Sequence, residues 1–97
     1  MATYIVLLNY TDQGIRNVKQ SPKRRKAAIA AAEKLGINVR ETYLTMGRYD
    51  MVLVADAASD DAVATWALSV GSLGNVRTQT MRAYPVDEME KILAKVS

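Results

Sequence analysis

Ninety-seven residues with no cysteine and no histidine exclude disulfides, thiolate nucleophiles, thiolate metal sites and a haem held by a proximal histidine. The balance of 13 basic against 10 acidic side chains gives a net charge of +3, and 49% hydrophobic with 24% charged residues describe a folded domain rather than a disordered chain. A chain of this length is read as one domain, residues 1–97, which leaves much of its surface unburied unless it associates.

The opening residues carry no basic leader, and the apolar run that starts at Tyr4 stops after five residues. That is too short for a signal-peptide core or a membrane span. With the missing cysteines, it points to a cytoplasmic protein with no membrane partner. Residues 3–9 instead read as a strand apolar on both faces, Tyr4, Val6 and Leu8 on one and Ile5 and Leu7 on the other, so both faces call for cover.

Tyr10 to Gly14 reads as a loop, followed by a polar stretch to Gln20. Ser21-Pro22 is a helix start, with serine as the cap and proline at the first helical position. The helix continues through Ala27, Ala28, Ile29, Ala31, Ala32 and Leu35 to a C-terminal cap at Gly36. Its first turns hold Lys23, Arg24, Arg25 and Lys26 just after Lys19. Such a run attracts anions, but a solvated helix start is its commoner explanation. No aromatic residue interleaves it, so nucleic acid is not an expected partner.

Residues 37–46 return to strand character, Gly47 breaks the run, and Met51 to Ala55 resumes it, which makes a hairpin. Ser59 with Asp60 and Asp61 then opens a second helix. Its face is Val63, Trp66, Ala67 and Val70, and it ends within Gly71–Asn75. Residues 76–84 form the fourth strand, stopped by Pro85. Asp87 and Glu90 have capping-box spacing before a short terminal helix with the stripe Met89, Ile92, Leu93 and Val96.

The order β-α-β-β-α-β plus a terminal helix predicts an α+β, ferredoxin-like fold with a four-stranded antiparallel sheet. Both main helices cover one face. The first and third strands are apolar on the other face too, so the simplest cover is the sheet of a second copy. The chain is therefore expected to be a homodimer or a higher oligomer.

The segment Met46-Gly47-Arg48-Tyr49-Asp50-Met51-Val52-Leu53-Val54 resembles the signature of the GYD-domain family. Asn9 to Ile15, Gly71 to Thr78 and Pro85 to Glu88 strengthen the likeness, in the family's order and over almost the whole chain. The resemblance implies the dimeric α/β barrel group, with paired sheets and sometimes a cavity between sheet and helices. The G-x-Y-D turn before an apolar strand is also similar to the ligand-binding domain of leucine-responsive regulators. No helix-turn-helix precedes it here, so operator reading is not expected.

In the sheet order 4-1-3-2 the central strands 1 and 3 are antiparallel. The loop after strand 1 therefore shares a sheet end with the turn before strand 3. Asn9, Tyr10, Asp12, Gln13, Arg48, Tyr49 and Asp50 are the candidate ligand-binding residues on that ground. Asp12, Gln13, Arg48 and Tyr49 are expected to approach one cavity, within a subunit or across an interface. The alternative for Asp12, Gly14, Gly47 and Asp50 is turn chemistry alone, and for Tyr49 packing in a core or interface.

Arg77 and Arg82, five apart on strand 4, should face opposite sides. Trp66 reads as core. Asp60 and Asp61 read as first-turn acids, and no three acidic residues have metal-ligand spacing. No phosphate-binding or dinucleotide motif is present, so neither metal nor cofactor is expected. Beside a polyanion binder through the basic run, two functions stand ahead. One is a homo-oligomeric module that binds a small molecule or a partner protein. The other is a cofactor-independent enzyme, monooxygenase- or isomerase-like, that uses Tyr49, Asp12, Asn9 or Arg48 to polarise a phenol or enolate.

Overall fold

The computed structural model describes residues 1–97. In chain order the elements are β1 (Ala2–Tyr10), α1 (Asp12–Arg16), a 3-10 turn at Val18–Gln20, α2 (Ser21–Lys34), β2 (Asn38–Leu44), β3 (Met51–Ala57), α3 (Asp60–Ser72), β4 (Val76–Ala83) and α4 (Val86–Leu93). The strands form one antiparallel sheet in the order β2-β3-β1-β4. This is the expected ferredoxin-like arrangement, with β1 and β3 central.

Alternation along the strands decides which residues form the core. Tyr4, Val6 and Leu8 of β1 and Leu53, Ala55 and Ala57 of β3 are buried under the helices, against Ala32 of α2 and Val63 and Trp66 of α3. Small residues on α2 let it lie close to the sheet. The Trp66 Nε1–H donates to the Ala28 carbonyl at 2.9 Å, so the indole joins the two helices without leaving a buried donor unpaired.

The opposite face carries Ile5, Leu7, Val52 and Val54, all half-buried, with Tyr43 and Met81 exposed at 52% and 41%. Register sets Ile5 between Val54 and Met81, and Leu7 between Val52 and Gln79. No element packs across this face. Helix α4 is held near its root by an Arg82–Glu88 ion pair at 3.7 Å, while Val86, Met89, Ile92, Leu93 and Val96 stay exposed.

Three local expectations change. Residues 12–16 are helical rather than loop, because the Thr11 hydroxyl caps the turn by accepting from the Gly14 N–H at 3.1 Å. Ser21 is the first residue inside α2, not its cap, and Gln20 precedes it without a side-chain capping bond. The Asp87–Glu90 capping box does not form, since α4 starts directly after Pro85. Gly47 has φ +106, a conformation that L side chains rarely adopt, as the hairpin requires.

Candidate functional site

The G-x-Y-D turn and the end of β1 meet through the backbone. The Tyr10 N–H donates to Asp50 Oδ2 at 2.9 Å, and the Asp50 N–H returns a bond of 2.9 Å to the Leu8 carbonyl. The Thr45 N–H donates to the Asp50 carbonyl and its hydroxyl to the Tyr49 carbonyl, at 2.9 and 2.6 Å. Asp50 is thereby committed to holding the turn against β1.

A second junction ties α1 to the loop before β4. The Thr11 N–H donates to the Asn75 carbonyl at 3.1 Å and its hydroxyl to the Gly74 carbonyl at 2.5 Å. Gln13 Nε2 reaches the Leu73 carbonyl at 3.2 Å and Asn75 Oδ1 at 3.0 Å. Gly14 packs so closely here that a Cβ would lie 1.9 Å from the Asn75 carbonyl oxygen. Two segments that carry the family likeness, Asn9–Ile15 and Gly71–Thr78, are thus one joint.

Two cavities lie on opposite sides of the sheet. The larger, about 270 Å³, runs between the sheet and the helices α2 and α3. Val6, Leu8, Leu53, Met51, Trp66 and Val70 are among its walls, and Tyr10, Ser21, Arg24, Arg25 and Asn75 also line it. The smaller, about 190 Å³, is a groove on the open face made by Leu7, Asn9, Tyr49, Arg77, Thr78 and Gln79. There the Tyr49 hydroxyl donates to Gln79 Oε1 at 2.9 Å.

Within one chain the seven candidates do not share a cavity. Tyr10 lines the larger cavity, and Asn9 and Tyr49 line the groove. Asp12, Gln13 and Arg48 are exposed and line neither, and Asp50 lies at the turn between. The physical reason is strand alternation: Asn9 and Tyr10 are neighbours on β1, so their side chains leave opposite faces of the sheet. The same rule puts Arg77 in the groove and Arg82 on the helix side, its guanidinium 5.8 Å from the Tyr4 ring centroid and 4.3 Å from that of Tyr84.

Sequence reading passed over Ser21, Arg24 and Asn75 as site residues. The Ser21 hydroxyl is 2.9 Å from that of Tyr10. Arg24 donates to the Asn17 carbonyl at 3.0 Å and to the Gly14 carbonyl and Ser21 Oγ at 3.3 Å each. Below the helices, the Tyr4 hydroxyl donates to the Asp60 carboxylate, and this bond is the main cause that raises the Tyr4 pKa. The bond from the Tyr43 hydroxyl to Glu41 likewise raises the Tyr43 pKa. No three His, Cys, Asp or Glu side chains come together as a metal cluster, and no helix is long and apolar enough to cross a membrane.

This geometry defines a small ferredoxin-like α+β domain. The GYD domain family model matches residues 4–93, and the chain belongs to the GYD-domain family. A Thermus thermophilus protein named glutamine synthetase and cystathionine beta-lyase binding protein is 36% identical over 90 residues, covering 92% of this chain and 95% of that protein. A crystal structure of a Thermus thermophilus protein is 28% identical with a TM-score of 0.54, over 88% of this chain and 99% of that one. The Mycobacterium tuberculosis leucine response regulatory protein is similar over 87% of this chain and 51% of its own, with a TM-score of 0.56 and 20% identity. At that identity the likeness concerns the fold alone, and the chain spans about half of the regulator.

Proposed function

We propose that this chain works in the cytoplasm as a homo-oligomeric binding module, its open sheet face closed by a second copy and its assembled surface holding a partner protein. Its accessible surface carries this reading. A monomeric protein of 10.7 kDa is expected to expose about 5,500 Å², whereas this chain exposes 6738 Å². The excess of roughly 1,200 Å² exceeds the ~800 Å² that one partner contributes to a standard interface. Ile5, Leu7, Val52, Val54, Met81 and the stripe of α4 supply apolar atoms for that contact. In such a pair the groove of Asn9, Tyr49, Arg77 and Gln79 lies between copies.

The name of the 36% identical relative supports a protein as the further partner. Acid–base catalysis has less support, because the larger cavity is lined by Tyr10, Arg24 and Arg25 as its only ionisable side chains. Light scattering at micromolar concentration tests the first half. A mass of at least twice 10.7 kDa is expected, and a well-folded monomer overturns it. Sedimentation with purified glutamine synthetase or cystathionine beta-lyase from the same source organism tests the second. Co-migration with at least one is expected, and migration with neither removes the extension of the relative's named role to this chain.

A further inference from the structure

The larger cavity is on the side of the sheet away from the proposed association surface. We infer that it is a binding site for a small apolar carboxylate, with the acid held at the Tyr10–Ser21–Arg24 end and the hydrocarbon body against Leu8, Leu53 and Trp66. Its volume of about 270 Å³ is just below the ~300–1,000 Å³ typical of small-molecule sites, which limits the occupant to a compact molecule.

The distribution of polar groups selects the chemistry. Most of the lining is aliphatic or aromatic. Trp66 has already given its N–H to the Ala28 carbonyl, so it offers an occupant only its ring. Tyr10 and Ser21 are hydrogen-bonded to each other at 2.9 Å, and the Tyr10 hydroxyl also reaches Met51 Sδ at 3.6 Å, a weak acceptor that a carboxylate oxygen can displace. Arg24 is half-buried at the same end. A guanidinium has five N–H donors, and three are taken by Asn17, Gly14 and Ser21. Two remain, on a cation that favours an acceptor of opposite charge.

The lining contains no aspartate or glutamate, so nothing there neutralises a ligand's ammonium group. Free amino acids are therefore disfavoured against their deaminated counterparts. A phosphate dianion is disfavoured as well: Arg25, the second lining guanidinium, is exposed to solvent, so the half-buried Arg24 leaves one charge uncompensated beside apolar walls. A monoanion with a branched or aromatic body matches both ends of the cavity.

Trp66 is the sole tryptophan, which makes its fluorescence a direct reporter of occupancy. On adding 4-methylpentanoate to the full chain, a saturable change in Trp66 emission is expected. The matched alcohol 4-methylpentanol, and L-leucine, should bind at least about tenfold more weakly, the size of one charge-assisted hydrogen bond. Arg24→Gln should lose a similar factor, and Ala67→Leu, which fills the cavity from α3, should abolish the response. Because Arg24 also holds α1, the comparison among the three ligands on the unaltered chain decides the matter if Arg24→Gln fails to fold. No saturable response to 4-methylpentanoate at millimolar concentration overturns the site. Equal binding of the alcohol or of leucine, or undiminished binding by a folded Arg24→Gln, overturns the carboxylate. The oligomer mass is unaffected by any of these outcomes, so the two proposals fail separately.

Discussion

Tyr4 shows how one side chain can serve the core and still be exposed to titration chemistry. Its ring is buried on β1 while its hydroxyl donates to Asp60 at the start of α3. That bond holds only while the phenol keeps its proton, and it raises the Tyr4 pKa above the ordinary value of 10.0. In the unfolded chain the phenol titrates near that ordinary value. The stabilisation is therefore complete below about pH 10 and is lost as pH rises from there through the folded pKa. Urea midpoints from pH 8 to 11 should fall steeply at the alkaline end, and less steeply in Tyr4→Phe. Tyr43, raised by Glu41, adds a slope of the same sign, so the difference between the two proteins is the quantity to read. Trp66 acts in the core and at the cavity wall together. Trp66→Ala should cost about 3–5 kcal/mol by analogy with other buried aromatic deletions, measured as a lower denaturant midpoint.

At the scale of elements, the joint between α1 and β4 tests the fold most sharply. Gly14→Ala would set a Cβ against the Asn75 backbone, and backbone atoms move less readily than a side-chain tip. Overpacking of this kind costs about 1–3 kcal/mol, so a melting temperature lower by at least about 4 °C is expected. An unchanged value would mean that the joint slackens without penalty. This joint was only half legible in the sequence. The period-2 and helical patterns located four strands and three helices, because each carries an apolar or β-branched stripe at strand or helix spacing in its own sequence. Helix α1 escaped because a five-residue turn has no such stripe, and its cap residue Thr11 is itself held by bonds to Gly74 and Asn75, more than sixty residues away. The meeting of Tyr10 with the Gly47–Asp50 turn followed from topology. The division of Asn9 from Tyr10 was also available, in the alternation of side chains along β1. The polar end of the cavity was not available, because Ser21 reads locally as a cap and Arg24 as part of a solvated basic run. Helix α4 was legible as an amphipathic stripe but not in its docking, since its apolar side stays exposed in its own chain. Ile92→Asp should leave the circular dichroism spectrum of the folded chain unchanged and weaken self-association, read as dissociation at higher concentration by sedimentation.

For the whole molecule, the question is whether folding and association are one event. Twelve of 97 residues are buried, a thin core for a domain whose net stability is a small difference between large terms. If the open sheet face is covered by a second copy, part of the apolar burial that stabilises the fold exists only in the assembly. The folded state is then favoured by mass action, and its melting temperature depends on protein concentration. A tenfold dilution should lower it by a few degrees, on the order set by the ~1.4 kcal/mol that a tenfold change represents and the entropy of unfolding. Met81 is placed to locate the surface responsible. It is exposed, opposite Ile5 in the β1–β4 register, and on the face away from the cavity. In Met81→Asp a charge would be buried between sheets, so the paired state should weaken while the solvated monomer gains a compatible residue. The expected result is a lower melting temperature that no longer moves with dilution. A melting temperature independent of concentration in the unaltered chain would show that this domain reaches its stability alone. The open face would then have to be explained without a second copy.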